Sequence, residues 1–209
     1  LLEKEKREPE KEADREGQVW AAGRHVEDSP WIGLKMHFSE LETQADLELH
    51  LGDRGYTGMS AIEDGRFNVC GLFRRRSGIR ARKSELLFAY LEAAGLHSLV
   101  HRLQKAHAHE ESALGVSSVL FHKTFHHPQR CHLGDHFTVI PPFTGNGMSL
   151  AMESAALASD PLQRWSRGDR TWQETVPDIQ RKIQKHTRTR VRTARLLHPW
   201  IYHPARQSF

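Results

Sequence analysis

The stretch that decides the fold of this chain runs from His132 to Ala156 and reads HLGDHFTVIPPFTGNGMSLAMESAA. A short predicted strand delivers Gly134-Asp135 into a loop that Pro141-Pro142 stiffens. Gly145-Asn146-Gly147 then turns the chain into a predicted helix of small residues. Because a helix begins with free N–H groups and a positive dipole end, this stretch predicts a site for an anion or an electron-rich ring edge. Asp135 is placed to accept hydrogen bonds from ligand hydroxyl groups.

Upstream of this stretch, apolar residues alternate with a period of two, which predicts strands over 31–38, 47–51, 56–62 and 67–73. Asp64-Gly65 between the last two strands predicts a hairpin turn. Helices are predicted over 84–94 and 96–109, and further strands over 115–121 and 130–133. Short turns between successive strands indicate an antiparallel sheet, so the predicted fold class is α+β.

The order of these features resembles a known family. A strand, Gly-Asp, a loop with Pro-Pro, Gly-x-Gly and a helix of small residues look like the second flavin-binding motif of the FAD-dependent monooxygenase, halogenase and geranylgeranyl-reductase group, which has the fold of p-hydroxybenzoate hydroxylase. The segment Ala21-Ala22-Gly23-Arg24 is similar to the Ala-x-Gly-Arg segment before the substrate domain of that group. The predicted sheet resembles the substrate domain itself, so the likeness covers roughly residues 18–200.

The resemblance implies an FAD-dependent oxidoreductase whose flavin contacts come from the two ends of the motif. Asp135 would contact the ribityl and pyrophosphate part of FAD, and the glycine turn and helix start would lie against the pyrimidine edge of the ring system. NAD(P)H is an implied electron donor, and a small-molecule substrate would sit between flavin and sheet. No catalytic acid or base is predicted. The cofactor-binding residues so implied are Gly134, Asp135, Pro142, Gly145, Asn146, Gly147, Met148 and Arg24.

The family's first nucleotide-binding unit has no counterpart in these 209 residues. That unit carries Gly-x-Gly-x-x-Gly after a strand, whereas the Gly-x-Gly of this chain is followed by Leu150 in place of the third glycine. The sequence therefore resembles the C-terminal part of an FAD/NAD(P)-binding fold, and an N-terminal flavin-binding half is a predicted partner. The alternative is a non-catalytic remnant or interaction module, with exposed apolar surface on the helix from Gly147.

Four parts are predicted along the chain. They are a charged leader over 1–16, a substrate-type domain over 17–130, the second FAD-binding motif over 131–160 and a basic helical tail over 161–209. The tail carries 11 bases against three acids, so a basic nucleic-acid binder is a third hypothesis. The preferred interpretation is a helix whose apolar residues, Trp172, Ile179 and Ile183 among them, pack against the missing domain.

The remaining composition excludes several classes of protein. No apolar run is long enough to span a membrane, and residues 1–16 lack the apolar core of a secretory signal. Two cysteines exclude a disulfide scaffold and favour a cytoplasmic location, and Cys70 in a predicted strand is expected to be buried.

Histidines gather between residues 122 and 136, where Cys131 also lies. Zinc sites use histidine and cysteine at short spacings, but this order matches no known zinc-finger pattern. No metal site is therefore predicted from the sequence, and His136 is interpreted as a local loop residue.

Overall fold

A computed structural model describes residues 15–25, 27–117, 119–121 and 123–203. Most of the predicted charged leader lies outside these residues. The described residues fold into two compact units, one within 15–25 and 121–195 and the other within 27–120 and 196–203. The four parts suggested by the sequence remain a proposal about domain boundaries.

The secondary structure of the described residues confirms a mixed fold with an antiparallel sheet, four helices and a short parallel pair of strands. The strands are β1 Val19–Trp20, β2 Trp31–Ser39, β3 Leu47–Gly52, β4 Gly55–Ala61, β5 Phe67–Arg74, β6 His107–Ser117 and β7 Cys131–His132. The helices are α1 Leu86–Ala93, α2 His97–Lys105, α3 Gly147–Ser166 and α4 Trp172–Ile201.

Strands β2 to β6 form one antiparallel sheet in the order β3-β4-β5-β2-β6. The predicted hairpin between β4 and β5 is confirmed, and both Asp64 and Gly65 have positive φ angles, of 59° and 65°. Such angles match the turn to the right-handed twist of the strands, which explains why an Asp-Gly pair occurs here.

One face of this sheet carries the core of its unit. Alternate residues of β2 are buried and pack with α1 and α2, as the period of two requires. The opposite face is open where Leu49, Cys70 and Leu114 occupy matched cross-strand positions, because all three are exposed. Nearer its other end the same face is covered, since Trp31, Tyr56 and Leu72 are buried there. The expectation that Cys70 is buried is therefore wrong: its side chain points to the uncovered part of this face. The buried residues of β2 are Trp31, Ile32, Leu34, Met36 and Phe38.

The second predicted helix ends earlier than expected. Its apolar spacing stops at Leu103, α2 ends at Lys105, and the chain continues as β6 instead of remaining helical to residue 109. The reason is tertiary: β2 would otherwise be an edge strand, and β6 pairs with its free backbone groups. The strand predicted over 115–121 is correspondingly the end of β6, which stops at Ser117.

In the other unit, α3 and α4 enclose a separate apolar core. Trp172, Ile179 and Ile183 of α4 are buried there beside Cys131 and Phe137, so they pack within this chain and not on a missing domain. The basic segment thus supplies core residues as well as charge. No helix among the described residues is long and apolar enough to cross a membrane.

The two cysteines are expected to differ in reactivity with a maleimide. Cys70 is exposed, whereas Cys131 is fully buried. Burial raises the thiol pKa of both cysteines, that of Cys131 to about 11, so their difference in reactivity comes mainly from access. Labelling of the native protein, followed by mass spectrometry, should modify Cys70 alone, and unfolding in urea should release Cys131. A Cys70→Ser control should take no label until unfolded, and rapid native labelling of Cys131 would contradict this packing.

A carboxylate between α3 and α4 makes stability depend on pH. Glu153 accepts hydrogen bonds from Arg190 and from His186 at 2.6 Å, and these bonds lower the pKa of Glu153 from 4.5 to about 2. Because the folded pKa is lowered, the stabilisation is complete above pH 4.5 and is lost as the pH falls through about 2.

Urea unfolding of Glu153→Gln across this pH range should therefore show a deficit against the wild type that is largest above pH 4.5 and shrinks towards pH 2. The exposed Glu42→Gln is the matched control and should show no such trend. A deficit independent of pH would assign the effect of Glu153 to packing.

Candidate functional site

The Gly-Asp end of the motif is held by the parallel pairing of β1 with β7. Val19 lies opposite Cys131 and Trp20 opposite His132, and the Leu133 N–H donates to the Trp20 carbonyl at 2.9 Å. The chain then enters a 3-10 turn over Gly134–His136. Asp135 is therefore presented just beyond the end of a parallel strand, where ligand sites of α/β sheets commonly lie.

Helix α3 packs directly on this turn. The Gly134 N–H donates to the buried Ser154 hydroxyl at 2.9 Å, and that hydroxyl donates to the Ala151 carbonyl at 2.7 Å. Gly134 has a φ of 56°, and a Cβ atom there would lie 3.1 Å from the Cβ of Ala151. Both the backbone angle and the close helix contact therefore require glycine.

The other end of the motif is the glycine turn that begins α3. Pro142 starts a 3-10 turn over Pro142–Thr144, and Gly145 follows with a φ of 64°. Asn146 stands at the N-cap but makes no side-chain cap bond; its amide donates instead to the Thr144 carbonyl at 2.8 Å. The predicted tight turn into a helix is thus confirmed as local structure.

The backbone of this turn is open to a ligand. A Cβ atom built on Gly145 or on Gly147 would meet no atom within 4 Å, and no side chain caps the start of α3. Met148 is 78% exposed. Uncapped N–H groups in open space suit the polar edge of a flavin ring, so these residues fit the group that the motif implies.

Asp135 and Arg24 come together although 111 residues separate them along the chain. Burial raises the pKa of Asp135, and the charge of Arg24 opposes that shift. Asp135 is half-buried, which leaves part of its carboxylate accessible for hydrogen bonds to ligand hydroxyl groups. The structure therefore brings Arg24, Gly134 and Asp135 together, and it separately forms the open glycine turn.

Three histidines next to the motif were not recognised as a group. His25 follows Arg24 and His136 follows Asp135, and both rings approach His132. The histidine-rich segment over residues 122–136 contains His132 and His136, but His25 lies more than a hundred residues earlier in the sequence. The parallel pairing of β1 with β7 is the feature that could have revealed His25. Because the two strands run in the same direction, the residues that follow β1 lie beside those that follow β7, which places residue 25 near residue 136.

Solved structures with a similar fold bear on the identity of the chain. PqsL, a probable FAD-dependent monooxygenase from Pseudomonas aeruginosa, matches 87% of this chain with 20% identity and a TM-score of 0.58. The myxobacterial chondrochloren halogenase CndH, described as an FAD-dependent halogenase, matches 78% with 14% identity and a TM-score of 0.65. HpxO from Klebsiella pneumoniae, crystallised with FAD and uric acid, matches 88% with 15% identity and a TM-score of 0.60.

This chain has the fold of the FAD-dependent monooxygenases. The resemblance read from the sequence is thereby confirmed at the level of the fold. The chain spans about half the length of these proteins, with 51% of PqsL, 40% of CndH and 47% of HpxO covered. No protein-family model and no curated protein matches the sequence.

The contact of Gly134 with α3 predicts a large effect of an added methyl group. Gly134→Ala combines a left-handed backbone with a clash against Ala151, and should lower the free energy of unfolding by roughly 2–4 kcal/mol. Gly145→Ala is the matched control: its φ is similar but its surroundings are open, so a loss of about 1–2 kcal/mol is expected. Equal losses in urea unfolding would show that the Ala151 contact can relax.

Proposed function

We propose that this chain provides the second flavin contact and the substrate sheet of an FAD-dependent oxidoreductase. The observation that carries the proposal is the uncapped, open glycine turn at Gly145–Gly147 in a chain with the monooxygenase fold. FAD supplies the redox chemistry of such enzymes, with NAD(P)H as the proposed electron donor. The residues of the chain bind and orient the cofactor.

Each part of the motif has a distinct task in this proposal. Asp135 accepts hydrogen bonds from the ribityl hydroxyl groups, and the positive charge of Arg24 lies near the phosphate groups. The start of α3 directs its free N–H groups and its positive dipole end at the pyrimidine edge of the ring system. Such an arrangement favours negative charge on that edge, which develops when a flavin is reduced.

The exposed part of the sheet face that is opposite to the core is the proposed substrate surface. Leu47, Leu49 and Leu51 of β3 and Leu114 of β6 are exposed on it, and monomeric proteins seldom leave such apolar groups uncovered together. We propose a small, largely apolar molecule as the substrate class. Hydroxylation, halogenation and reduction of such a molecule are all compatible with this surface.

An N-terminal flavin-binding half is the proposed partner. The chain spans about half of each similar structure, and Met148 and Met152 on one side of α3 are 78% and 73% exposed. The interaction-module alternative also expects exposed apolar surface on this helix, so the methionines alone do not separate the two hypotheses. A cytoplasmic location remains a prediction from the cysteine content.

Flavin binding can be tested with the chain as it stands. Titration with FAD and with riboflavin, followed by quenching of flavin fluorescence, should give saturable binding of both, because the proposed contacts to the ring and the ribityl chain are common to the two. Asp135→Ala should weaken the binding of both flavins. Asp160→Ala, an exposed carboxylate on α3, is the matched control and should leave binding unchanged.

Each result that would contradict flavin binding favours a different alternative function. No saturable quenching by either flavin would overturn flavin binding by this chain and favour the interaction module. A salt-dependent shift of the chain with DNA would favour the nucleic-acid hypothesis instead. That hypothesis has lost some support, because Arg170, Lys182 and Arg190 are paired with carboxylates within the chain.

A further inference from the structure

Three histidine rings meet beside the Gly-Asp turn. Their nearest potential ligand atoms, one from each of His25, His132 and His136, all lie within 4.8 Å of one another. The ring centroids of His132 and His136 are 4.6 Å apart, those of His25 and His136 are 4.0 Å apart, and those of His25 and His132 are 5.9 Å apart. All three side chains belong to the same compact unit.

The hydrogen bonds of two of these rings leave one nitrogen of each for another partner. His136 Nδ1 lies 3.1 Å from the Gly23 carbonyl, so Nδ1 carries the proton and Nε2 keeps its lone pair. His25 Nε2 lies 3.0 Å from the His136 carbonyl, which assigns the proton to Nε2 and the lone pair to Nδ1. A backbone carbonyl that fixes the tautomer in this way is the usual outer support of a metal-binding histidine.

The third ring, that of His132, is buried without a hydrogen-bond partner among the described residues. His132 is 5% exposed, and neither of its nitrogens forms a hydrogen bond with an acceptable distance and angle to any of the residues described, although the Phe125 backbone lies beside it. A buried polar group without a partner is destabilising, because it has lost its hydrogen bonds to water. A ligand between the three rings would remove this destabilisation.

The distances between the rings suit a small cation. A metal binds the neutral form of imidazole through a free lone pair. Zinc binds imidazole nitrogens at about 2.0–2.1 Å, so ligand atoms in a tetrahedral site are about 3.4 Å apart. The three nitrogens would have to close by roughly 1–1.5 Å at most to reach that geometry.

We propose that His25, His132 and His136 form a site for a divalent transition metal ion such as Zn²⁺. Three imidazole ligands leave one tetrahedral position for water, as in zinc sites with three protein ligands. Imidazole suits zinc, copper and nickel better than magnesium or calcium, so these ions should be discriminated. The spacing of the histidine-rich segment matches no zinc-finger pattern and does not indicate this site, because one of its three residues, His25, lies outside that segment.

Tag-free protein, freed of metal with a chelator, is titrated with Co²⁺ and then with Zn²⁺. We expect one equivalent of Co²⁺ to give the visible absorption of a tetrahedral site, and one equivalent of Zn²⁺ to abolish it. Zn²⁺ should also raise the midpoint of thermal unfolding in proportion to the logarithm of its concentration, while Mg²⁺ should not. Since no flavin is present, the outcome is independent of the flavin-binding titration.

His25→Gln and His136→Gln are the informative variants, because their rings are only half-buried and their loss should leave the fold intact. Each should weaken Co²⁺ binding at least about tenfold, since loss of even an outer support typically costs 10–100-fold. His101→Gln, an exposed histidine on α2, is the matched control. Arg130→Gln should strengthen binding, because Arg130 places positive charge near His136.

Circular dichroism confirms that each variant is folded before its titration is interpreted. Absence of saturable Co²⁺ and Zn²⁺ binding in the wild type would overturn the proposal and leave the three rings as a stacked, metal-free cluster. Binding of equal strength in the wild type and in folded His25→Gln would overturn it as well, because the metal would then be bound elsewhere.

Discussion

The parallel pairing of β1 with β7 is the constraint on which the candidate site depends. It joins only two residues on each side, yet it places the segment that ends in Arg24 and His25 beside the turn that contains Asp135 and His136. The hydrogen bond from Gly134 to Ser154 then fixes the same turn to α3. Loss of the strand pairing would separate both the Arg24–Asp135 pair and the histidine cluster.

The local features were predictable because each depends on neighbouring residues. Asp64-Gly65 forms a turn, and Gly145-Asn146-Gly147 leads into a helix, because these residue types readily adopt the positive φ angles that Asp64, Gly65 and Gly145 have. The α+β class followed from the period of two in β2 and its neighbours. The family resemblance rested on the order of such features, and the similarity in fold agrees with it.

The sequence predictions are wrong where contacts between residues far apart in the chain determine the structure. The sequence predicts a helix through residues 107–109, but β2 has unpaired backbone groups and these residues pair with it as the start of β6. Cys70 was expected to be buried because it lies in a strand, and the period of two cannot say which face of a sheet is covered. His25 was overlooked for a related reason, since its partners lie more than a hundred residues away.

The discontinuous make-up of the first unit has a consequence for synthesis on the ribosome. Val19 and Trp20 leave the ribosome before their partners Cys131 and His132, which follow more than a hundred residues later. At a rate of synthesis of 5–20 residues per second, β1 remains without its partner strand β7 for roughly 5–20 s. The intervening sheet has its own core and can form during that interval, whereas the segment around Trp20 must stay unpaired.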